Sequence, residues 1–296
     1  MNFISLQDAD FNMIKEYTEK AGTNNCEFSI ANVYLWNDNT KLKVALIDDV
    51  LVYRLITNNK AIYSPITIPS DSVTFINKLY EDAKSNNCEF IVNNLSEASI
   101  EKLRSEYGEA FDYSYDRADS DYIYLVSELI SLSGPKLHSK KNNLNKFLKN
   151  NEFVYETINS DNIAECLKMA WLWKECRPYN NDYEEEYEIL KIAFSDYDKY
   201  EFLGGLIRIA GEVVAFSFGE RLNKDTFVTH FEKAFDDIPG LYQAINQQFA
   251  ANTISYFTYV NREDDMGLEG IRRAKLSYKP VILLDKYYIT QKTKVV

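Results

Sequence analysis

Histidine occurs only at His138 and His230, so no multi-histidine zinc site can be assembled, and neither an HExxH nor an EF-hand pattern is present. Metal chemistry is not expected. The cysteines Cys26, Cys88, Cys166 and Cys176 lie far apart and form no CxxC pair, which fits reduced thiols better than a disulfide framework. No run of about 18 apolar residues occurs that could cross a membrane. The opening MNFISLQDADFNMIKEY is acidic and polar where a signal peptide is basic and then apolar. A cytoplasmic location without an integral membrane segment is the expectation. Positive charge is also in deficit: 33 basic against 45 acidic side chains give a net charge of -12, so the long-range field repels polyanions. Contact with nucleic acid or an anionic membrane then requires a local basic patch.

What is present is a composition able to bury a proper core, 46% hydrophobic with 14% aromatic residues. Periodicity predicts a helix over 6–21 ending near Gly22, and a hairpin over 41–56 turning at Asp48-Asp49. A strand over 61–66 follows, then a helix capped by Ser70 or Ser72, the strand EFIVNNL, a helix from Ser96 to Gly108, and a strand over 121–126. The second half repeats this order. A helical region over 162–194 leads to a hairpin around Ala210-Gly211, a strand over 226–234, a helix starting at Pro239, the strand SYFTYVN, the helix GLEGIRRAKLSY and the strand VILLDKYYI. The repeat predicts duplication of a mixed-sheet α/β unit of roughly 120 to 150 residues. The junction is expected near 130–135, giving domains 1–132 and 133–296.

That order, above all the strand-helix-strand-helix-strand tail from Thr226, resembles the Gcn5-related N-acetyltransferase fold in tandem. The runs SGPKLHSKKNNLNKFLK, VTHFEKAFDDIPGLYQAINQQF and VNREDDMGLEGIRRAKLSYKP resemble a narrower group, bacterial proteins related to the C-terminal domain of phosphatidylglycerol lysyltransferase. More distantly the chain is similar to the peptidoglycan aminoacyltransferases. The resemblance covers nearly the whole chain and implies transfer of an aminoacyl group from aminoacyl-tRNA to an amine or hydroxyl acceptor. The acceptor would be a small molecule, a peptide or a lipid head group. One departure is visible. Acetyl-coenzyme A enzymes of this fold cradle pyrophosphate on a Q/R-x-x-G-x-G/A turn, whereas this chain has AFDDIPGLYQA, with Asp236, Asp237, Pro239 and a single glycine, Gly240. An acetyl-CoA-dependent N-acetyltransferase and a non-catalytic binding module on the same fold are the alternatives.

Four stretches could carry chemistry. In THFEKA, strand alternation places His230 and Glu232 on one side, a carboxylate and an imidazole suited to deprotonate an attacking amine. Glu232 is the expected base and His230 its orienter or proton relay; an exposed polar pair is the plainer reading. In YVNREDDMGLEGIRRAKLSYKP, Arg262, Asp264 and Asp265 sit at a strand-to-helix junction, where the acids could meet a ligand amine or cap the helix. Arg272, Arg273 and Lys275 follow on a helix, to hold donor phosphates or to form surface ion pairs with Glu269. Tyr278 is a possible acid for the leaving group, though it shares the helix's apolar stripe. In GPKLHSKKNNLNKFLK, Lys136, Lys140 and Lys141 begin the densest basic island of the chain, a candidate strip for tRNA phosphates or a solvated basic helix. Trp171 and Trp173, two apart, cannot face one direction on a helix, so one is expected in the core. Arg177 with Tyr179 could line a substrate pocket.

Overall fold

The computed structural model describes residues 1–36 and 41–292. The chain divides into two compact units, Met1–Ser120 with Leu284–Val296, and Asp121–Leu283. The strands, in chain order, are β1 (Ile4–Ser5), β2 (Lys43–Ile47), β3 (Val50–Thr57), β4 (Lys60–Pro65), β5 (Glu89–Leu95), β6 (Phe111–Tyr115) and β7 (Asp121–Leu125). Then come β8 (Val154–Thr157), β9 (Leu203–Ile209), β10 (Glu212–Arg221), β11 (Thr226–Ala234), β12 (Tyr259–Asn261), β13 (Ile282–Leu284) and β14 (Tyr287–Gln291).

Two seven-stranded sheets result, ordered β1-β2-β3-β4-β5-β14-β6 and β13-β7-β12-β11-β10-β9-β8. The repeat predicted from the element order is real at this level. In the first sheet β3 and β4 are antiparallel and β4 pairs in parallel with β5. In the second, β10 and β11 are antiparallel and β11 pairs in parallel with β12. The position beyond the parallel pair is filled by exchange. β14, from the end of the chain, sits between β5 and β6, and β7, from the first half, sits between β12 and β13. The expected domain boundary after Leu132 is therefore not where the units part. β7 and the helix Val126–Ser131 belong to the second unit, and the expected single strand VILLDKYYI splits into β13 and β14 in different sheets.

Local signals acted much as their chemistry predicts. The hairpin turns use positive φ at Asp48 (50) and Asp49 (62), and at Ala210 (50) and Gly211 (88). Gly22 ends helix Phe11–Ala21 at φ 62, and Ser96 caps helix Glu97–Tyr107 through the Ser99 amide at 3.2 Å. The helix Ser72–Ser85 is capped by Asp71, accepting from the Thr74 amide at 3.1 Å, instead of by either predicted serine. The predicted helical region 162–194 is two helices, Ile163–Glu175 and Asn181–Ser195, separated at Pro178, whose ring cannot continue a helix. Trp173 is buried and Trp171 is 45% exposed, as two tryptophans on one helix at that spacing must divide. In the second unit a core of Tyr122, Tyr124, Leu144, Phe147, Phe227, Ile245, Phe249 and Val260 joins the sheet to helices His138–Asn150 and Leu241–Asn252.

Candidate active site

The site of the second unit depends on one inserted residue. Against β10, Phe231 pairs with Phe218 while Thr229 pairs with Gly219, leaving His230 as an extra residue on β11. Such a bulge breaks side-chain alternation. Phe227 meets Phe249 of helix Leu241–Asn252, and Glu232 accepts from Asn246 of the same helix at 3.2 Å. Two positions an odd number apart share that face only because of the insertion. Phe231 instead stacks on Phe218, which packs on Phe194 of helix Asn181–Ser195, and His230 lies 6.0 Å from Phe202 among these rings. The expectation that His230 and Glu232 are neighbours on one surface is thus corrected. A bulge, invisible to strict alternation, separates them.

On the Glu232 face, Arg262 Nη2 donates to Glu232 Oε1 at 2.8 Å, and both side chains are largely withdrawn from solvent. Burial works against the charge on Arg262, but Glu232 and the nearby Tyr124 and Tyr278 hold its pKa raised. The Tyr278 ring lies 5.3 Å from the guanidinium and 4.3 Å from Lys140 Nζ. Burial pushes the Tyr278 phenol up to about 12, so it keeps its proton at neutral pH. Lys140 is half-buried, and burial together with Arg262 lowers its pKa against the pull of Glu232. One carboxylate, two cations and a protonated phenol converge here.

On the opposite face, His230 Nδ1 meets Glu263 Oε1 at 2.8 Å and Nε2 meets Glu220 Oε1 at 3.1 Å. Burial disfavours the imidazolium, yet the two carboxylates outweigh it and raise the pKa to about 9. A charged ring donating through both nitrogens has no lone pair for base catalysis. His230 is a structural tie between β10, β11 and the turn after β12, which corrects its expected part as a relay beside Glu232.

The acidic knot after β12 is occupied by the chain itself. Asp265 accepts from Arg272 at two 2.8 Å bonds, from Tyr122 at 2.5 Å and from the Gly267 amide at 2.9 Å. The Arg272 bonds hold its pKa at about 2 despite burial. Asp264 accepts from the Met266 amide at 3.0 Å, and Lys275 donates to the carbonyls of Arg262, at 2.6 Å, and Asp264. Of the expected phosphate-binding stripe, Arg272 and Lys275 clamp this turn. Arg273 is exposed, 3.9 Å from Glu269.

The remaining candidates lie elsewhere. Arg177 stacks 3.5 Å over Trp173, donates to the Trp173 carbonyl at 2.8 Å and pairs with Asp236, while Tyr179 is 80% exposed. On helix His138–Asn150 and the turn before it, Lys140 faces the site. Lys136, Lys146 and Lys149 are exposed, and Lys141 donates to the Ser131 carbonyl at 3.1 Å. With Ser131, Ser133, Gly134, Pro135 and His138, Lys141 lines a groove of about 500 Å³.

The structure also tests the coenzyme A cradle. Gly240 has φ 84, and a Cβ there would collide with the carbonyl oxygen of Asn143 on helix His138–Asn150. That helix covers the opening of helix Leu241–Asn252, where pyrophosphate would need to approach, and Asp236 and Asp237 add like charge. The residues present do not fit the group.

Sequence reasoning missed the inward turn of Lys140 and the contacts made by Asn246, Glu220 and Glu263. Two signals were available. Lys140 shares the i, i+4, i+7 stripe of buried Leu144 and Phe147. Gly219, where any Cβ would strike the Val228 carbonyl, is the mid-strand glycine that marks a bulge.

Residues 18–290 match the family model described as phosphatidylglycerol lysyltransferase, C-terminal. A conserved protein of unknown function from Bacteroides thetaiotaomicron is similar at 34% identity and TM-score 0.89, covering 99% of this chain and 100% of that one. L-PGS from Bacillus licheniformis is similar in fold at 13% identity and TM-score 0.67, covering 97% and 93%. A tandem GNAT protein from the clavulanic acid biosynthesis pathway matches at 4% identity and TM-score 0.50, covering 99% and 98%. The fold is the mixed α/β, duplicated acyltransferase type.

Proposed function

The chain belongs to the phosphatidylglycerol lysyltransferase C-terminal family, and on that premise we propose that it transfers an aminoacyl group from aminoacyl-tRNA to an amine or hydroxyl acceptor. The observation that carries the reading is the convergence of Glu232, Arg262, Lys140 and Tyr278 in a half-buried setting of the second unit.

Each group has a part in acyl transfer. Glu232 takes the proton of the attacking group, exchanging its bond to Asn246 or Arg262 for one to the acceptor. Arg262 and Lys140 face the oxygen that gains charge in the tetrahedral intermediate, where low local polarity makes fixed cations effective. The Tyr278 phenol supplies a proton to the departing ribose oxygen. Lys136, Lys141, Lys146 and Lys149 give the acidic protein the local cationic strip that tRNA phosphates require, with Arg273 as a further exposed cation. Arg272, Lys275, Asp264 and Asp265 support the turn that presents Arg262. Among the described residues no helix is long and apolar enough to cross a membrane.

The test is equilibrium binding of the purified protein to a pool of charged tRNA and, separately, to acetyl-coenzyme A, each at two salt concentrations. Charged tRNA retained at low salt and released at high salt is the expected result, with coenzyme A not retained. Coenzyme A binding without tRNA overturns the reading in favour of acetyl transfer, and failure to bind either overturns it in favour of a non-catalytic module.

A further inference from the structure

One lysine of the first unit is withdrawn from water. Lys286 is 5% exposed, although a lysine is almost never buried so fully unless it is paired. Its Nζ donates to Glu27 Oε1 at 2.9 Å and lies 3.9 Å from Sγ of Cys26, a residue that is itself 1% exposed. Each side of this contact is fixed by its own neighbours. The Cys26 carbonyl accepts from the Ser29 amide at 2.9 Å and from Asn32 Nδ2 at 3.0 Å, which holds the short turn Cys26–Phe28. On the lysine side, Asp285 accepts from Ser120 Oγ at 2.6 Å, and Tyr287 pairs with Leu95 of β5 and Tyr115 of β6. Sulfur and amine therefore face each other across a gap set by the fold. The other cysteines are placed differently. Cys88 Sγ donates to the Asn86 carbonyl at 3.4 Å, Cys176 is exposed, and burial pushes the Cys166 thiol up to about 12.

We propose that Cys26 and Lys286 are a covalent modification site, at which a peroxide oxidant joins Sγ to Nζ through one inserted oxygen atom. The inference does not depend on aminoacyl transfer. A separation of 3.9 Å is far longer than a direct sulfur–nitrogen bond, and an inserted oxygen spans much of it with little movement of either side chain. The thiolate is the form that peroxide attacks, and a neighbouring ammonium favours that form of a cysteine.

The chemistry balances with two molecules of peroxide. The first converts the thiol to a sulfenic acid: the S–H bond and an O–O bond break, an S–O bond forms and one water leaves. The second oxidises the nitrogen as the sulfenic oxygen bonds to Nζ: one N–H bond, the S–O–H proton and the second O–O bond are lost, and two waters leave. Sulfur and nitrogen each give up two electrons, and each peroxide accepts two. The ammonium must first shed a proton. Glu27 accepts it and, with its side chain 41% exposed, passes it to solvent. The same exposure brings solvent, and peroxide with it, within one side chain of the buried pair. The product ties the turn Cys26–Phe28 to the residue just before β14 and so pins that strand between β5 and β6.

The experiment treats the reduced full chain with hydrogen peroxide and maps its tryptic peptides by mass spectrometry without reductant. One linked pair is expected, containing Cys26 and Lys286, heavier by one oxygen and lighter by two hydrogens, about 14 Da in all, and split by dithiothreitol. The melting temperature of the treated chain should rise by about 5 °C or more and return on reduction. Lys286→Arg keeps a cation beside Glu27 without the primary amine, and should carry sulfenic or sulfinic acid at Cys26 in place of the link. Sulfinic acid at Cys26 with no linked pair in the unmodified chain overturns the proposal. So does a Cys26 that survives peroxide while Cys176 is oxidised, or a link at Cys26 that persists in Lys286→Arg. If that variant does not fold, the peptide map of the unmodified chain still decides.

Discussion

Arg262 and Glu263 are consecutive residues whose charges go to opposite faces of one sheet, Arg262 to Glu232 and Glu263 to His230, each at 2.8 Å. The turn after β12 is thereby tied to β11 twice, and both ties depend on the bulge that sets Glu232 and His230 apart. Glu263 takes φ 58 to make the divergence, a left-handed conformation unusual for glutamate. Disturbing either tie should move the other.

Replacing Glu232 by Gln removes the proposed base while keeping an acceptor for Arg262. Single-turnover transfer from charged tRNA should fall by about 100-fold or more, and the melting temperature should drop only a few degrees. A rate near that of the unmodified protein would place the base elsewhere.

His230 makes stability depend on pH. Its folded pKa of about 9 lies above the ordinary 6.5, so its contribution is complete below pH 6.5 and lost as pH rises through about 9. Unfolding free energies from denaturant titrations at pH 6 to 10 should decline on the order of 3 kcal/mol across that window. His230→Gln should lower stability at pH 6 and flatten the profile.

Asp265 works at the other end of the scale. Its carboxyl is held at about 2, below the ordinary 3.8, so it stabilises fully above pH 3.8 and loses that effect as pH falls toward 2. Asp265→Asn leaves Arg272 without its partner and should cost about 3 kcal/mol at pH 7, read by chemical denaturation. Since the turn presents Arg262, transfer should slow as well.

Gly240→Ala should destabilise the second unit by about 2 kcal/mol or more, from a side chain at φ 84 and its collision with the Asn143 carbonyl. A neutral result in thermal melts would mean that helix His138–Asn150 shifts freely.

If the exposed lysines contact phosphates, Lys136→Ala, Lys146→Ala and Lys149→Ala should each reduce the slope of log affinity for charged tRNA against log salt by about one. Fluorescence anisotropy at four salt concentrations reads this directly. Unchanged slopes would remove the helix from the tRNA contact.

Much of the architecture was legible in sequence because the devices that encode it are local. The hairpins at Asp48-Asp49 and Ala210-Gly211, the caps at Ser96 and Gly22 and the repeated element order all act over a few residues. The site was less legible. Glu232 and Arg262 were both singled out, but their pairing, and the separation of His230 from Glu232, follow from an insertion in the register of two strands. The basic stripe of Arg272 and Lys275 looked available because spacing reports which residues share a helix face and says nothing about what that face meets.

By itself the sequence determined the principal hairpins and several helices with their caps, that two such sets occur in one order, and that charge is concentrated at a few junctions. It does so because backbone preference and periodic burial act at short range. Only the tertiary structure decided that β7 and β14 trade sheets, that His230 becomes a charged tie, and that Lys140 turns inward to face Arg262 and Tyr278. Strand partners and ion partners are chosen among residues far apart in the chain, by register and burial that no local window contains.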